Sequence, residues 1–298
     1  MRTSPDRQGN PAKDPPRTAF VLSGGGNQGV SQVGMLRGLI ERGIVPDVVV
    51  GTSAGALNGA VIAAKPSLES LDRLQELWTQ LESHHVFPGG RLARTWNIIR
   101  RDLHLFRSDG LADLIERALP VERFDELEVP LRVVAADTDT GEEVIFAHGL
   151  LKPALLASAA LPGVYPLVQY DNRQLMDGAV VNTVPLWHAL SGPVERVYVC
   201  NVSGAVTDRP ARSPLDVVLR AFAISRNQRF ELELRHVDPR VEVIVLPRPI
   251  DARDVFDFSG AAELIEEAHR LTSRALDLAT DAVTRRYRRR WFRRPDVA

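Results

Sequence analysis

Between Val49 and Ala56 the chain reads Val-Val-Gly-Thr-Ser-Ala-Gly-Ala, an apolar strand that runs without a spacer into a helix of small residues. The Gly51-x-Ser53-x-Gly55 spacing fits a sharp strand-to-helix turn, because a side chain at either glycine would strike the neighbouring strand or helix. Such a turn, a nucleophile elbow, presents one hydroxyl, that of Ser53. Ala54, Ala56, Gly59, Ala60, Ala63 and Ala64 then allow the helix to lie close on the sheet that launches it.

A second glycine cluster lies upstream. Ala19-Phe20-Val21-Leu22 leads into Ser23-Gly24-Gly25-Gly26-Asn27-Gln28-Gly29, and a helix follows with apolar positions at Val30, Val33, Leu36 and Leu39. Successive glycines leave backbone N–H groups open at a helix N-terminus, where partial positive charge collects and an anion can be held. Gly24, Gly25, Gly26 and Gly29 are therefore candidates for an oxyanion hole. Gly24, Gly26 and Gly29 also spell the G-x-G-x-x-G of a dinucleotide site. That reading asks for an acid at the end of the second strand, whereas this strand ends in Gly51-Thr52-Ser53 and Asp47 lies at its beginning. No Gly-Lys-Ser/Thr is present for a P-loop.

Strands alternate with helices along the chain, which argues for an α/β fold: three α/β/α layers around a central, mostly parallel sheet. With 298 residues, 44% of them hydrophobic, the chain can build one sizeable domain or two small ones. Residues 1–17 are polar, carry four prolines and have no apolar core, so they read as a disordered tail and not as a secretory signal. The catalytic body is expected over 18–250 and a C-terminal amphipathic helix with a basic tail over 259–298. No apolar run reaches the length of a membrane span. A single cysteine, Cys200, precludes an intrachain disulfide and fits a reducing compartment, so a cytoplasmic location is expected. Cys200 itself lies in an apolar run and reads as core.

The formal charge of −1 hides an asymmetry. Between Arg285 and Arg294 stand seven arginines and no acid, interleaved with Tyr287, Trp291 and Phe292; this +7 leaves −8 for the rest. The segment reads as a peripheral contact with anionic membrane, as a solvated C-terminus or as a nucleic-acid contact. The first is favoured, and no nucleic-acid partner is expected.

Several other segments invite a chemical reading and are better explained structurally. Leu71, Leu74, Leu77, Trp78 and Leu81 form a core stripe on a helix. His84 and His85 follow it without acids or thiols at ligand spacing. The basic, amphipathic stretch from Arg91 to Leu105 is either a cap beside the active site or a packed helix, the latter favoured. Asp137 and Asp139 sit in Asp-Thr-Asp-Thr-Gly, which is what a hairpin turn asks for, so no metal and no cofactor are expected. Near the C-terminus, Leu264, Ala268, Leu271, Ala275, Leu278 and Ala282 make a stripe for docking on the body or on another chain.

A serine hydroxyl is a poor nucleophile without a base and an oxyanion donor pair. Among bases, His188 stands just after a strand and stays open as an alternative. Asp177 is better placed: it follows the brief strand Gln174 to Met176 and precedes Gly178-Ala179, a tight turn that can present a carboxylate.

Gly24 to Gly29, Gly51 to Gly55 and Asp177-Gly178-Ala179, in that order, resemble the motifs of the patatin-like phospholipase family. The segments Ala136 to Gly141 and Ala157 to Pro166 agree with it. The resemblance implies a Ser53/Asp177 dyad without histidine, an acyl-enzyme, amides near Gly25 and Gly26 as oxyanion donors, and a lipid or acyl-ester substrate. Where the family usually has Arg or Lys, this chain has Gln28. The competing expectation is a catalytically lapsed patatin fold that serves as a lipid- or membrane-binding module.

Overall fold

A computed structural model of the chain describes residues 17–81, 108–203, 214–249 and 259–281. In chain order the elements are β1 (Thr18–Leu22), α1 (Val30–Ile40), β2 (Val48–Thr52), α2 (Ala54–Ala64), α3 (Leu68–Gln80) and α4 (Asp109–Ala118). There follow β3 (Leu131–Asp137), β4 (Glu143–Phe146), α5 (Leu151–Ser158), β5 (Val168–Tyr170), β6 (Arg173–Asp177) and α6 (Leu186–Ala189). The chain continues with β7 (Arg196–Cys200), α7 (Pro214–His236), β8 (Glu242–Val245) and α8 (Ala261–Asp281). Residues 1–16, the Arg91–Leu105 stretch, His84, His85 and the Arg285–Arg294 tail lie outside the described residues.

The strands form one sheet, with hydrogen-bonded order β5-β6-β3-β2-β1-β7-β8 and β4 also paired to β3. From β3 to β8 that order is parallel throughout. β1 shows why the layers are three. Its side chains alternate across the sheet: Phe20 and Leu22 pack in one cluster with Leu36, Ile62, Leu71 and Ile265. Ala19 and Val21 pack in the other with Leu186, Val197 and Val199. A strand apolar on both sides is stable only with helices on both faces, and α6 and α7 supply the second layer opposite α1, α2, α3 and α8.

At the β3 side the sheet is mixed, a departure from simple alternation. β5 and β6 form an antiparallel hairpin whose loop, Asp171-Asn172, has positive φ at both residues (45° and 59°). Aspartate and asparagine tolerate that conformation, which suits the twist of a two-residue hairpin. The registers then decide where β6 lies. β4 opposes Val133 to Ala136 on one edge of β3. On the other edge, β2 opposes Leu131 to Val134, and β6 takes over with Asp177 opposite Ala135. β2 and β6 therefore share one edge end to end, and the last residue of β6 meets the last residue of β2.

The C-terminal stripe docks on the body. A Cβ at Gly34 of α1 would lie 2.1 Å from the Ile265 carbonyl oxygen, and one at Gly38 would lie 2.9 Å from Thr272 Cγ2. The two bare positions let α8 approach at backbone distance. The buried line of α8 runs through Ala261, Leu264, Ile265, Ala268, Thr272 and Leu276. Leu278, expected on that line, is 59% exposed, and Ala282 lies outside the described residues.

Candidate active site

The junction of β2 and α2 has the geometry that its sequence demands. A Cβ at Gly51 would stand 2.5 Å from the Gly55 carbonyl oxygen, and one at Gly55 would stand 2.4 Å from the Leu22 carbonyl oxygen. Either side chain is excluded. Between them Ser53 has φ 54° and ψ −126°, a conformation that costs a non-glycine residue about 1–3 kcal/mol and persists only where the surroundings enforce it. Its carbonyl accepts the N–H groups of Ala56 and Leu57, which starts α2 directly beneath the hydroxyl.

The end-to-end arrangement of β2 and β6 brings Asp177 to that hydroxyl. Ser53 Oγ donates to Asp177 Oδ2 at 2.7 Å, and Ala179 N–H donates to Asp177 Oδ1 at 2.8 Å. Ser53 is 8% and Asp177 2% exposed. Gly178 must be bare for this to occur, since a Cβ there would meet the Val134 carbonyl oxygen at 2.3 Å. The segment after Asp177 is tied to its surroundings: Thr52 Oγ1 donates to the Asn182 carbonyl, and Gly24 N–H donates to the Thr183 carbonyl.

The last of these bonds corrects one expectation. Gly24 is no oxyanion donor, because its amide is already held by Thr183. Its bareness matters instead: a Cβ would press on Ala179 Cβ at 3.2 Å and Ser53 Cβ at 3.3 Å. Gly29 likewise serves close packing, with a hypothetical Cβ 2.7 Å from Ala54 Cβ. The N–H groups of Gly25 and Gly26 donate to no described residue. Gly26 has φ 57°, in the region that favours glycine.

A buried polar network underlies the loop, and sequence periodicity gave no sign of it. Gln32 Nε2 donates to the carbonyls of Ser23 and Cys200, at 2.8 and 3.1 Å. Asn58 Nδ2 donates to Gln32 Oε1 and to the Gly29 carbonyl, both at 2.8 Å, and Asn58 Oδ1 accepts from Trp78 Nε1 at 2.9 Å. α1, α2, α3 and the glycine loop are thereby fixed to one another through fully paired amides, which rigidifies a core rather than weakening it. Trp78, read from sequence as stripe core, is also a donor here.

His188 is elsewhere. Its Nε2 lies 2.5 Å from Glu143 Oε2, in a half-buried cluster that Asn182 and Arg229 complete. Burial alone would raise the Glu143 carboxyl, but the hydrogen bonds from His188 and Asn182 and the Arg229 charge outweigh it and bring it down to about 2. Asp137 behaves as a turn acid: its Oδ1 accepts the N–H groups of Asp139 and Thr140, which hold its carboxyl below the usual range. Cys200 is buried, and burial pushes its thiol up to about 12.

Comparison with known proteins gives these features a context. Residues 20–190 match the family model described as Patatin-like phospholipase. An uncharacterized NTE family protein of Mycobacterium tuberculosis is 29% identical over 173 residues, 57% of this chain and 45% of that protein. Patatin-like phospholipase domain-containing protein 7 of Rattus norvegicus is 30% identical over 169 residues, 56% of this chain and 12% of that protein. The chain thus spans less than half the length of these relatives. Among solved structures, VipD from Legionella pneumophila superposes with a TM-score of 0.48 at 14% identity, over 92% of this chain and 69% of VipD. The family match covers more than half of the chain and takes in the glycine loop, the elbow and the Asp-Gly-Ala turn: the protein belongs to the patatin-like phospholipase family.

Proposed function

We propose that the protein hydrolyses carboxylic esters of lipids, of the phospholipase A, lysophospholipase or esterase type, with Ser53 as nucleophile and Asp177 as base. The observation that carries this reading is the 2.7 Å bond from a strained elbow serine to a buried carboxylate. Ser53 Oγ attacks the acyl carbonyl carbon while its proton passes to Asp177. The tetrahedral oxyanion is held by the N–H groups of Gly25 and Gly26, with the N-terminus of α2 adding partial positive charge. Collapse expels the alcohol, which leaves with the proton from Asp177. Water then attacks the acyl-enzyme and yields a proton to Asp177; collapse breaks the bond to Ser53 Oγ, which takes that proton back from Asp177, and the fatty acid is released.

Labelling with a fluorophosphonate tests the assignment: the wild type is modified at Ser53, and Ser53→Ala is neither labelled nor active on p-nitrophenyl esters. Unimpaired hydrolysis by a folded Ser53→Ala would falsify the reading. Gln28 favours a second one, a lapsed enzyme that still binds lipid; it predicts no labelling and no acylation burst, with liposome binding retained. The Arg285–Arg294 tail is proposed to hold the enzyme at anionic membrane, each arginine contributing about 1 kcal/mol near the surface. Co-sedimentation with phosphatidylserine vesicles should weaken when residues 285–298 are removed; binding that is unchanged in strength and salt dependence excludes the tail.

A further inference from the structure

Ser158 is fully buried at the end of α5 and takes no part in the steps above. The ladder between β2 and β3 says what should stand in its place. Val49 N–H donates to the Pro130 carbonyl at 2.9 Å. A parallel ladder repeats every two residues along a strand. The following rungs therefore fall between Gly51 N–H and the Arg132 carbonyl, and between Ser53 N–H and the Val134 carbonyl.

That last rung is relayed through a side chain. Ser53 N–H donates to Ser158 Oγ at 2.8 Å, and Ser158 Oγ donates to the Val134 carbonyl at 2.6 Å. One hydroxyl, accepting on one side and donating on the other, is interposed where β2 must leave the sheet. Two residues further on, the Ala160 carbonyl accepts Asp177 N–H at 2.9 Å. The stretch 158–160 thus grips the main chain of both Ser53 and Asp177, which are 124 residues apart in sequence.

We propose that Ser158 is a positioning residue for the acyl-transfer step, an inference that rests on the Ser53/Asp177 reading. Its hydroxyl holds the rung open, keeps Ser53 in its left-handed conformation and thereby sets the contact between Oγ and Asp177. Without it, a buried N–H and a buried carbonyl lose their partners, which is costly. They regain a bond only by closing on each other. That closure returns Ser53 toward extended strand geometry and swings Oγ away from Asp177. Removing the hydroxyl therefore acts on the rate of attack and leaves substrate binding largely alone.

The test compares Ser158→Ala, Ser158→Cys and Ser158→Thr in the full chain, with kcat and KM on p-nitrophenyl butyrate, the rate of fluorophosphonate labelling and a thermal melt. Misplacement of a reacting group by about 1 Å costs roughly 100-fold. Folded Ser158→Ala should lose about that factor in kcat and in labelling rate, with KM within about threefold. If Ser158→Ala does not fold, Ser158→Cys, which fills the space with a weak donor and acceptor, carries the same expectation. Ser158→Thr, which restores the hydroxyl, should recover most of the rate. A folded Ala or Cys variant with kcat near the wild type overturns the proposal, as does a Thr variant as slow as Ala. Activity surviving in Ser53→Ala would instead overturn the reading beneath it.

Discussion

Replacing Asp177 by asparagine separates its proposed role as base from its role in the scaffold. Asp177 Oδ1 accepts from Ala179 N–H and Oδ2 accepts from the Ser53 hydroxyl. Asparagine has a single oxygen. The Ala179 amide can only donate, so that oxygen stays with it, and Nδ2 turns toward Ser53. An NH2 group only donates, so Ser53 Oγ becomes the acceptor and its proton points away from the side chain that should receive it. The contact survives with its polarity reversed. Loss of a general base costs about 10²–10⁴ in rate, and a mis-set proton in a hydrolase site costs about 10⁴. A fall in kcat of about 10³–10⁴ is expected, or about 4–5.5 kcal/mol at 1.36 kcal/mol per decade. KM should hold within about threefold, because nothing that binds the acyl chain changes. The assay is hydrolysis of p-nitrophenyl esters alongside a circular dichroism melt. A folded Asp177→Asn with activity within tenfold of the wild type, or a loss of this size in His188→Ala instead, refutes the reasoning.

Two further perturbations test the frame around the site. Alanine is favoured over glycine by about 1 kcal/mol inside a helix, yet at Gly34 its Cβ would lie 2.1 Å from the Ile265 carbonyl oxygen and 2.7 Å from His269 N. α8 must retreat, and overpacking costs about 1–3 kcal/mol, so Gly34→Ala should lower the melting midpoint by several degrees; an equal or higher midpoint contradicts the α1–α8 contact. Glu143 is one pH-sensitive group: its carboxyl lies at about 2 against an ordinary value of 4.5, so its stabilisation is fully present above pH 4.5 and fades as pH falls toward 2. By linkage the wild type should lose about 2 kcal/mol between pH 6 and pH 3 from this residue, and Glu143→Gln should lack that increment in urea titrations. Equal pH dependence in both proteins would remove Glu143 from the account.

The legible part of the site is its backbone. Gly51, Gly55 and Gly178 are bare because main chain passes within 2.6 Å of where their Cβ atoms would be, and a residue type required by sterics leaves a mark in sequence. The sequence carries a further local signal. Asp171-Asn172 encodes the β5–β6 hairpin, and without that hairpin Asp177 has no route to β3. Gln32, Asn58 and Ser158 left little mark, because a buried polar residue looks like any surface one until its partners are known.

Sequence alone determined the local devices: the strand-to-helix elbow at Ser53, the bare glycine loop, the Asp-Gly-Ala turn and the alternation that calls for a three-layer α/β fold. These follow from sterics and periodicity within a dozen residues. Tertiary structure alone decided which of them meet. Only the pairing of β3 seats β6 beyond β2 and brings Asp177 rather than His188 to Ser53. It also gives the Gly24 amide to Thr183 and inserts Ser158 in the last rung. Contacts between residues more than a hundred positions apart depend on the register of strands and on which hydrogen bonds remain unmade, and no stretch of the chain carries that information by itself.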